Sequence, residues 1–357
     1  MKTRTWKRLG IFLGIPVLVI ILAAAVTPML LDLNRYHGVI VSEVQTAVGG
    51  KVRLGRISWG ITHRIWLEVD GFSIIDATAF PGDVILSRIY ASVSIPQLLT
   101  RKVVVKDLQL ESTEVKFKLV PAAKDTDPPT GGTDYTGVDL PVEIEIQQLA
   151  VAIKQLALDD ALSLPGQTLR HVFSDVDLTG TDIAPEAIMT FNLSLQDQSP
   201  SGLGALKARG TFSGLTKALT LDNADLKLKA ALSNLHVEAI KPYLQNDLLS
   251  SQLAGKISTE VDYQGDLGQS LHARGTIDLS QLMYSNPSFG DTPLPGQTTT
   301  VTFKISLDPQ NLTAEKVALK LGTLSVNARG VLHSWNKEPV IKNAEFSSDI
   351  RLRDAIP

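Results

Sequence analysis

Six histidines are the first candidates for chemistry in this 357-residue chain. His37, His63, His171, His236, His272 and His333 are scattered, and none has a second histidine three or four residues away, the spacing that puts a metal pair on one helix face. No Gly-x-Ser-x-Gly turn presents a nucleophile, and no glycine-rich loop is built to cradle phosphate. Two carboxylate pairs have residue types suited to acid–base work, Asp159 with Asp160 and Asp125 with Asp127. The first stands at the end of an apolar strand and the second in a Pro- and Gly-rich stretch, so both read as solvated surface charge. Cysteine is absent, which removes thiol nucleophiles, disulfides and thiolate metal sites together. Asn192-Leu193-Ser194 and Asn311-Leu312-Thr313 match a glycosylation sequon, but each falls within an alternating strand. The chain is expected to be no enzyme and to hold no metal or cofactor.

What stands out instead is apolar. Residues Leu9 to Leu31 are apolar almost without interruption, among them Leu9, Ile11, Phe12, Leu18, Ile21, Leu30 and Leu31. The run is long enough to cross a hydrocarbon core of roughly 30 Å. Lys2, Arg4, Lys7 and Arg8 precede it with no acid between them, which places the N-terminus in the cytoplasm and the rest across the membrane. Trp6 and Tyr36 flank it as interfacial rings do. A cleaved secretory signal competes with this reading, because Ala23-Ala24-Ala25 offers a cleavage site. The run continues past those alanines to Leu31, which favours an uncleaved anchor. Either way the bulk is exported, and an exported chain without cysteine suits a bacterial periplasm.

The net charge of −3 carries no basic concentration beyond the first eight residues, so nucleic acid is not an expected partner. Behind the anchor, Leu33, Tyr36, Ile40, Val44 and Val48 recur at three- and four-residue spacing and predict a helix packed on the first strands. Gly49-Gly50 ends it. From Lys51 the period changes to two: Val52 and Leu54, then Ile65, Leu67 and Val69, then Val103 to Leu110 and Val115 to Leu119. Pro96 to Leu99 predicts a short helical turn. Pro121 to Pro141 is crowded with Asp, Pro and Gly and reads as a linker or long loop. Alternation then dominates to the end, broken only by helical expectations at Val237 to Leu249 and around Ser280 to Met283.

Three segments share the form Ala-Arg-Gly-x-apolar: Ala208 to Phe212, Ala273 to Ile277 and Ala328 to Leu332. Their separations are too irregular for a propeller or short-period solenoid. A strand glycine at one fixed place suggests a bulge or bend in a reused meander unit. A row of arginines for phosphate headgroups is the functional alternative. Leu226 and Leu228, then Val301, Phe303 and Ile305, then Leu319 and Leu321 alternate strictly on three separate strands. They are the candidates for one shared apolar face.

The segments Leu33 to Ile61, Ile65 to Asp76 and Ile85 to Leu119 resemble the N-terminal module of the AsmA family. The resemblance rests on a Gly-terminated amphipathic helix behind an anchor. It continues with the V-x-L-G-x-I strand at Val52 to Ile57, the strand at Leu67 to Ile74 and the crossover at Val93 to Val105. It covers roughly a third of the chain; the remainder is similar in style only. The resemblance implies a Gram-negative inner-membrane protein, single-pass and mostly periplasmic, related to the bridge-like lipid-transfer proteins. It implies a long, curved, mostly antiparallel sheet forming an open apolar groove for membrane phospholipid moving toward the outer membrane. Pattern alone favours a two-sheet sandwich; the anchor, the scarcity of covering helices and the resemblance turn the expectation to an open sheet. About 16 strands at ~4.8 Å would reach on the order of 75 Å. The alternatives are a periplasmic scaffold aiding outer-membrane assembly through protein contacts, and a carbohydrate-active solenoid enzyme, which the lack of a short repeat disfavours.

The expected organisation is therefore a cytoplasmic tail and anchor at 1–31, an AsmA-like helix and strands at 32–120, a linker at 121–141 and a repetitive sheet at 142–357. The last strand, near Ile350, is expected to expose an uncovered edge that recruits a further strand or a partner. The anchor has a direct test. The protein should stay in the membrane pellet after carbonate washing, and Leu18→Arg, at about 2.5–3.5 kcal/mol near a helix centre, should release it. A shortened soluble form would show cleavage at the alanines instead.

Overall fold

The computed structural model describes residues 32–77, 82–98, 102–119, 143–161, 168–199, 202–215, 224–239, 241, 253–266, 270–284, 299–321, 324–334 and 340–350. The anchor residues Leu9, Ile11, Phe12, Leu18, Ile21, Leu30 and Leu31 lie outside these, as do the linker at 121–141 and most of the helix expected at Val237 to Leu249. Among the described residues no helix is long and apolar enough to cross a membrane.

The chain opens with a 3-10 turn, Leu33–Tyr36, and an α-helix, α1, at His37–Val48. The Asp32 carboxylate accepts the Asn34 N–H at 3.0 Å and starts the turn. Gly49, at φ 67°, stops the helix in the left-handed conformation that glycine adopts without a Cβ clash. A second helix, α2, is the single turn Ile95–Leu98. Everything else of size among the described residues is strand. The first four are β1 (Lys51–Ile61), β2 (Ile65–Ile75), β3 (Gly82–Val93) and β4 (Lys102–Leu119). Next come β5 (Glu143–Asp160), β6 (Leu169–Ile183), β7 (Met189–Ser199), β8 (Gly202–Phe212) and β9 (Asp225–His236). The last six are β10 (Leu253–Asp266), β11 (Ser270–Tyr284), β12 (Thr299–Leu307), β13 (Asn311–Leu321), β14 (Leu324–His333) and β15 (Val340–Ile350).

These fifteen strands form one open sheet in strict chain order. Neighbours are antiparallel except β4 and β5, which run parallel from Lys102 opposite Glu143 to Leu119 opposite Asp160. The sheet therefore continues unbroken across the connection expected as a linker. No second sheet covers it among the described residues. The buried hydrophobic residues are concentrated at the front: Val52, Ile57, Val69, Ile74, Val104 and Val115. From β10 onward no described hydrophobic side chain is buried. A sandwich would bury one face throughout.

Two helix expectations need correction. Ser280 to Met283 is strand: Gln281, Leu282 and Met283 pair with Lys256, Gly255 and Ala254 of β10. A bulge between Lys256 and Ser258 lets the ladder run on through residues whose own preference is helical, so strand pairing overrides propensity. Helix α1 is where expected, but its inward face differs. Tyr36 and Ile40 point to solvent, while His37 and Val41 take the inward positions beside Leu33, Val44 and Val48. Two polar anchors set that rotation. The Asn34 side chain accepts from the Ile57 N–H at 2.9 Å and donates to the Ile57 carbonyl at 3.1 Å, and His37 Nε2 lies 2.5 Å from the Leu54 carbonyl.

The Ala-Arg-Gly segments have a common steric cause. A Cβ on Gly210 would stand 2.0 Å from the Lys227 carbonyl oxygen, on Gly275 2.3 Å from that of Glu260, and on Gly330 2.6 Å from that of Asn343. In each repeat the neighbouring strand comes too close for a side chain. Gly275→Ala should therefore destabilise by about 1–3 kcal/mol, as overpacking does. Gly38→Ala, in open space on α1, should stabilise by about 0.5–1 kcal/mol. Urea unfolding midpoints of the two variants check the contrast.

Candidate functional site

Following the register from strand to strand exposes two apolar rows that cross the whole sheet. The first runs Trp59, Leu67, Ala91, Leu108, Leu149, Gly180, Phe191, Gly210, Leu228, Tyr263, Ala273, Ile305, Ala314, Gly330 and Ala344. The second runs Ile57, Val69, Ile89, Leu110, Val151, Leu178, Leu193, Ala208, Ala230, Val261, Gly275, Phe303, Val317, Ala328 and Phe346. Each row has one residue from every strand and no charged side chain. At ~4.8 Å per strand each covers about 67 Å.

The rows lie two residues apart along every strand but β13, where a bulge adds one residue between Ala314 and Val317, so they share one face. The residues between them face the other way, and that row is polar: Asn192, Arg209, Lys229, Asp262, Arg274, Lys304 and Lys316 follow one another on β7 to β13. Side-chain exposure separates the faces. Lys229 is 66 % and Arg274 70 % exposed, while Phe303 and Ile305 are half-buried. Asp262 lies 3.0 Å from Arg274 and 3.7 Å from Lys229, and Lys304 pairs with Glu315.

Two cavities follow the rows. One of about 1020 Å³ touches seven consecutive strands, β6 to β12, along Leu193, Ala208, Ala230, Val261, Gly275 and Phe303. The other, about 910 Å³, follows Phe191, Gly210, Leu228, Tyr263, Ala273 and Ile305 and ends at Glu315 on β13. Most of their lining belongs to the intervening polar rows: Asn192, Arg209, Lys229, Asp262, Arg274 and Lys304 border both, with Lys207 and Glu260 beside the first and Lys227 and His272 beside the second. They are troughs drawn out across the strands rather than chambers.

The seven residues nominated from sequence fall on this face by register. Leu228 and Ile305 belong to the first row and Phe303 to the second. Leu226 lies on a flanking row with Phe212, Gly265 and Leu271. Val301 and Leu319 lie on the other flank, paired with each other and leading to Ile277 and Val326. Leu321 sits two residues further along β13, opposite Thr299 and Leu324. Sequence reasoning does not nominate Phe191, Leu193, Val261 or Tyr263, although the alternation of Phe191, Leu193 and Leu195 is visible in it. The small residues of β8 and β11 are legible as the Ala-Arg-Gly repeat but not as members of this face, because Ala and Gly carry little hydropathy signal.

The titratable candidates go elsewhere. His171 stacks on Phe173 with ring centroids 6.5 Å apart, His333 Nδ1 lies 2.9 Å from the Asn311 side-chain oxygen, and His37 holds α1 to β1. Asp125 and Asp127 are outside the described residues. Asp160 is not solvated as expected: it is 4 % exposed, flanked by Leu119 and Leu169 across the ladder. Asp159 keeps its surface position near Arg170, at 3.9 Å. Asp197 is an acid placed by register on the apolar face. Asp197 on β7 is opposite Phe173 and Gly204, and burial pushes its carboxyl above the ordinary range, with His171 and His236 drawing it partly back. No family model matches the chain, and no curated protein matches it.

A raised carboxyl means that the folded state holds its proton to higher pH than the unfolded chain. Asp197 therefore costs stability once pH rises past the unfolded carboxylate range, and the cost vanishes below it. Asp197→Asn should raise the denaturation midpoint at neutral pH, with the gain fading as pH falls toward 3. Denaturation midpoints of both proteins across that pH range check it.

Proposed function

We propose that the sheet curves along the two apolar rows into an open groove that binds lipid acyl chains, and that the protein supports phospholipid transfer from an inner-membrane anchor toward the outer membrane. The observation that supports this best is the pair of uncharged rows running through all fifteen strands, with no covering layer among the described residues. Exposed apolar surface on this scale marks a binding surface. An acyl chain laid along a row exchanges water for protein at about 0.8 kcal/mol per CH₂. Each step from strand to strand meets another apolar side chain, so sliding trades like contacts for like. Movement of this kind makes and breaks no covalent bond and calls for no catalytic residue.

The likeness to the AsmA module at Leu33 to Leu119 supports the same reading, and the anchor at Leu9 to Leu31 supports the location. A scaffold acting through protein contacts is the competing function; in it the apolar face would be occupied by protein rather than lipid.

A photo-crosslinking residue at Phe303 should capture phospholipid in membranes, whereas one at Lys304, on the opposite face, should not. Equal labelling at both, or none at either, would remove the lipid reading. Phe303→Asp should slow lipid passage while leaving the fold intact, because a charge on an open face stays in reach of water. Native mass spectrometry of the detergent-purified protein adds the second arm: co-purifying phospholipid supports the groove, and a lipid-free protein supports the scaffold.

A further inference from the structure

The outward face of α1 is unexplained by the fold. Tyr36 is 56 %, Val39 59 % and Ile40 38 % exposed. They stand at i, i+3 and i+4 across the junction of the 3-10 turn and α1, so they form one apolar patch at the start of the helix. The helix cannot roll to bury them, because Asn34 and His37 fix its other side to Ile57 and Leu54 of β1. The chain ahead of the patch points to its occupant. The apolar run ends at Leu31, and Tyr36 follows five residues later. Even fully extended, five residues reach only about 18 Å, and less when coiled as a 3-10 turn. Arg35 is exposed beside the patch, where a cation meets phosphate headgroups.

We infer that Tyr36, Val39 and Ile40 lie in the headgroup region of the bilayer that the preceding run enters. This rests on the anchor reading above. It adds an orientation. Helix α1 is bonded to β1, and β1 carries Ile57 and Trp59, the first members of the two apolar rows. With α1 on the membrane, β1 lies along the surface, the later strands stack away from it, and both rows begin at the bilayer. The helix is then a seat that sets the mouth of the groove against its lipid source.

The chain contains no cysteine, so single labels are clean. An environment-sensitive fluorophore on Val39→Cys, in full-length protein reconstituted into phosphatidylethanolamine–phosphatidylglycerol vesicles, should emit to the blue and be quenched several-fold by headgroup-attached quencher. The same label on Ser347→Cys, on the far strand, should behave as in water. A Val39 label that stays aqueous while the protein remains carbonate-resistant overturns the inference and leaves the anchor standing. Loss of carbonate resistance in unlabelled protein overturns the anchor itself and this inference with it. The pair Val39→Asp, Ile40→Asp should slow lipid extraction from vesicles by about tenfold without changing the unfolding midpoint. Unchanged extraction would show that the patch does not seat the groove.

Discussion

The phase of the backbone ladder is the constraint on which every other feature depends. In a strand, successive side chains alternate faces, so a slip of one residue moves every apolar group to the wrong side. A sandwich corrects such errors by burying one face against a second sheet. This sheet has no second layer among the described residues, so phase must be kept by strand pairing alone. The bulges keep it. On β13 the apolar positions change from even numbers at Leu312 and Ala314 to odd ones at Val317 and Leu319. The change falls at Glu315-Lys316, where the register shifts. On β6 the shift lies between Ser174 and Asp177, with Asp175 at φ 49°. On β9 it falls at Asn234, φ 56°. On β15 it falls at Lys342. Polar residues sit at these four shifts, where the extra residue leaves the ladder.

The second requirement is room. Phe191 reaches over Gly210 and Phe303 over Gly275, close enough that a Cβ on either glycine would meet the ring at about 3 Å. At these two places a large residue therefore stands beside a small one within the row. The repeated Ala-Arg-Gly form supplies two small residues to the apolar face and one arginine to the other. Arg209, Arg274 and Arg329 then stand at the same level of the polar face. Arg274 pairs with Asp262 and Arg329 with Glu345 at 2.8 Å. Directly opposed cations such as Arg209 with Lys229 weaken a ladder slightly. High exposure, with water and salt around the charges, keeps that cost small.

Much of this architecture is legible in the amino-acid sequence. Strict alternation marks the strands, and the seven nominated residues share a face because alternation and register report the same period. Helix α1 is legible from its spacing and its glycines. Its rotation is not, because Tyr36, Val39 and Ile40 fit an apolar stripe as well as the residues that pack; two side-chain hydrogen bonds decide between them. The continuity of the rows is hidden for a related reason. It depends on where each bulge falls, and a bulge depends on the partner strand, which sequence does not align. Ser280 to Met283 misleads through the same gap, since its pairing with β10 outweighs local preference. Asp160 misleads because its burial comes from neighbours distant in sequence.

The two edges of the sheet are finished differently, and that asymmetry gives the molecule a direction. At β1 the backbone N–H and carbonyl of Ile57 are both occupied by one asparagine side chain, and a helix lies alongside, so strand addition is blocked there. At β15 every residue from Val340 to Ser348 is exposed, with Ile341 at 70 % and Phe346 at 77 %. Both rows reach this edge, in Ala344 and Phe346. A strand added at β15 would lengthen both rows by one step without changing their phase, whereas addition at β1 would first have to displace the helix. Extension therefore has one available end. A helix bonded along the first strand and an exposed last strand fit the proposed passage of acyl chains outward from the helix.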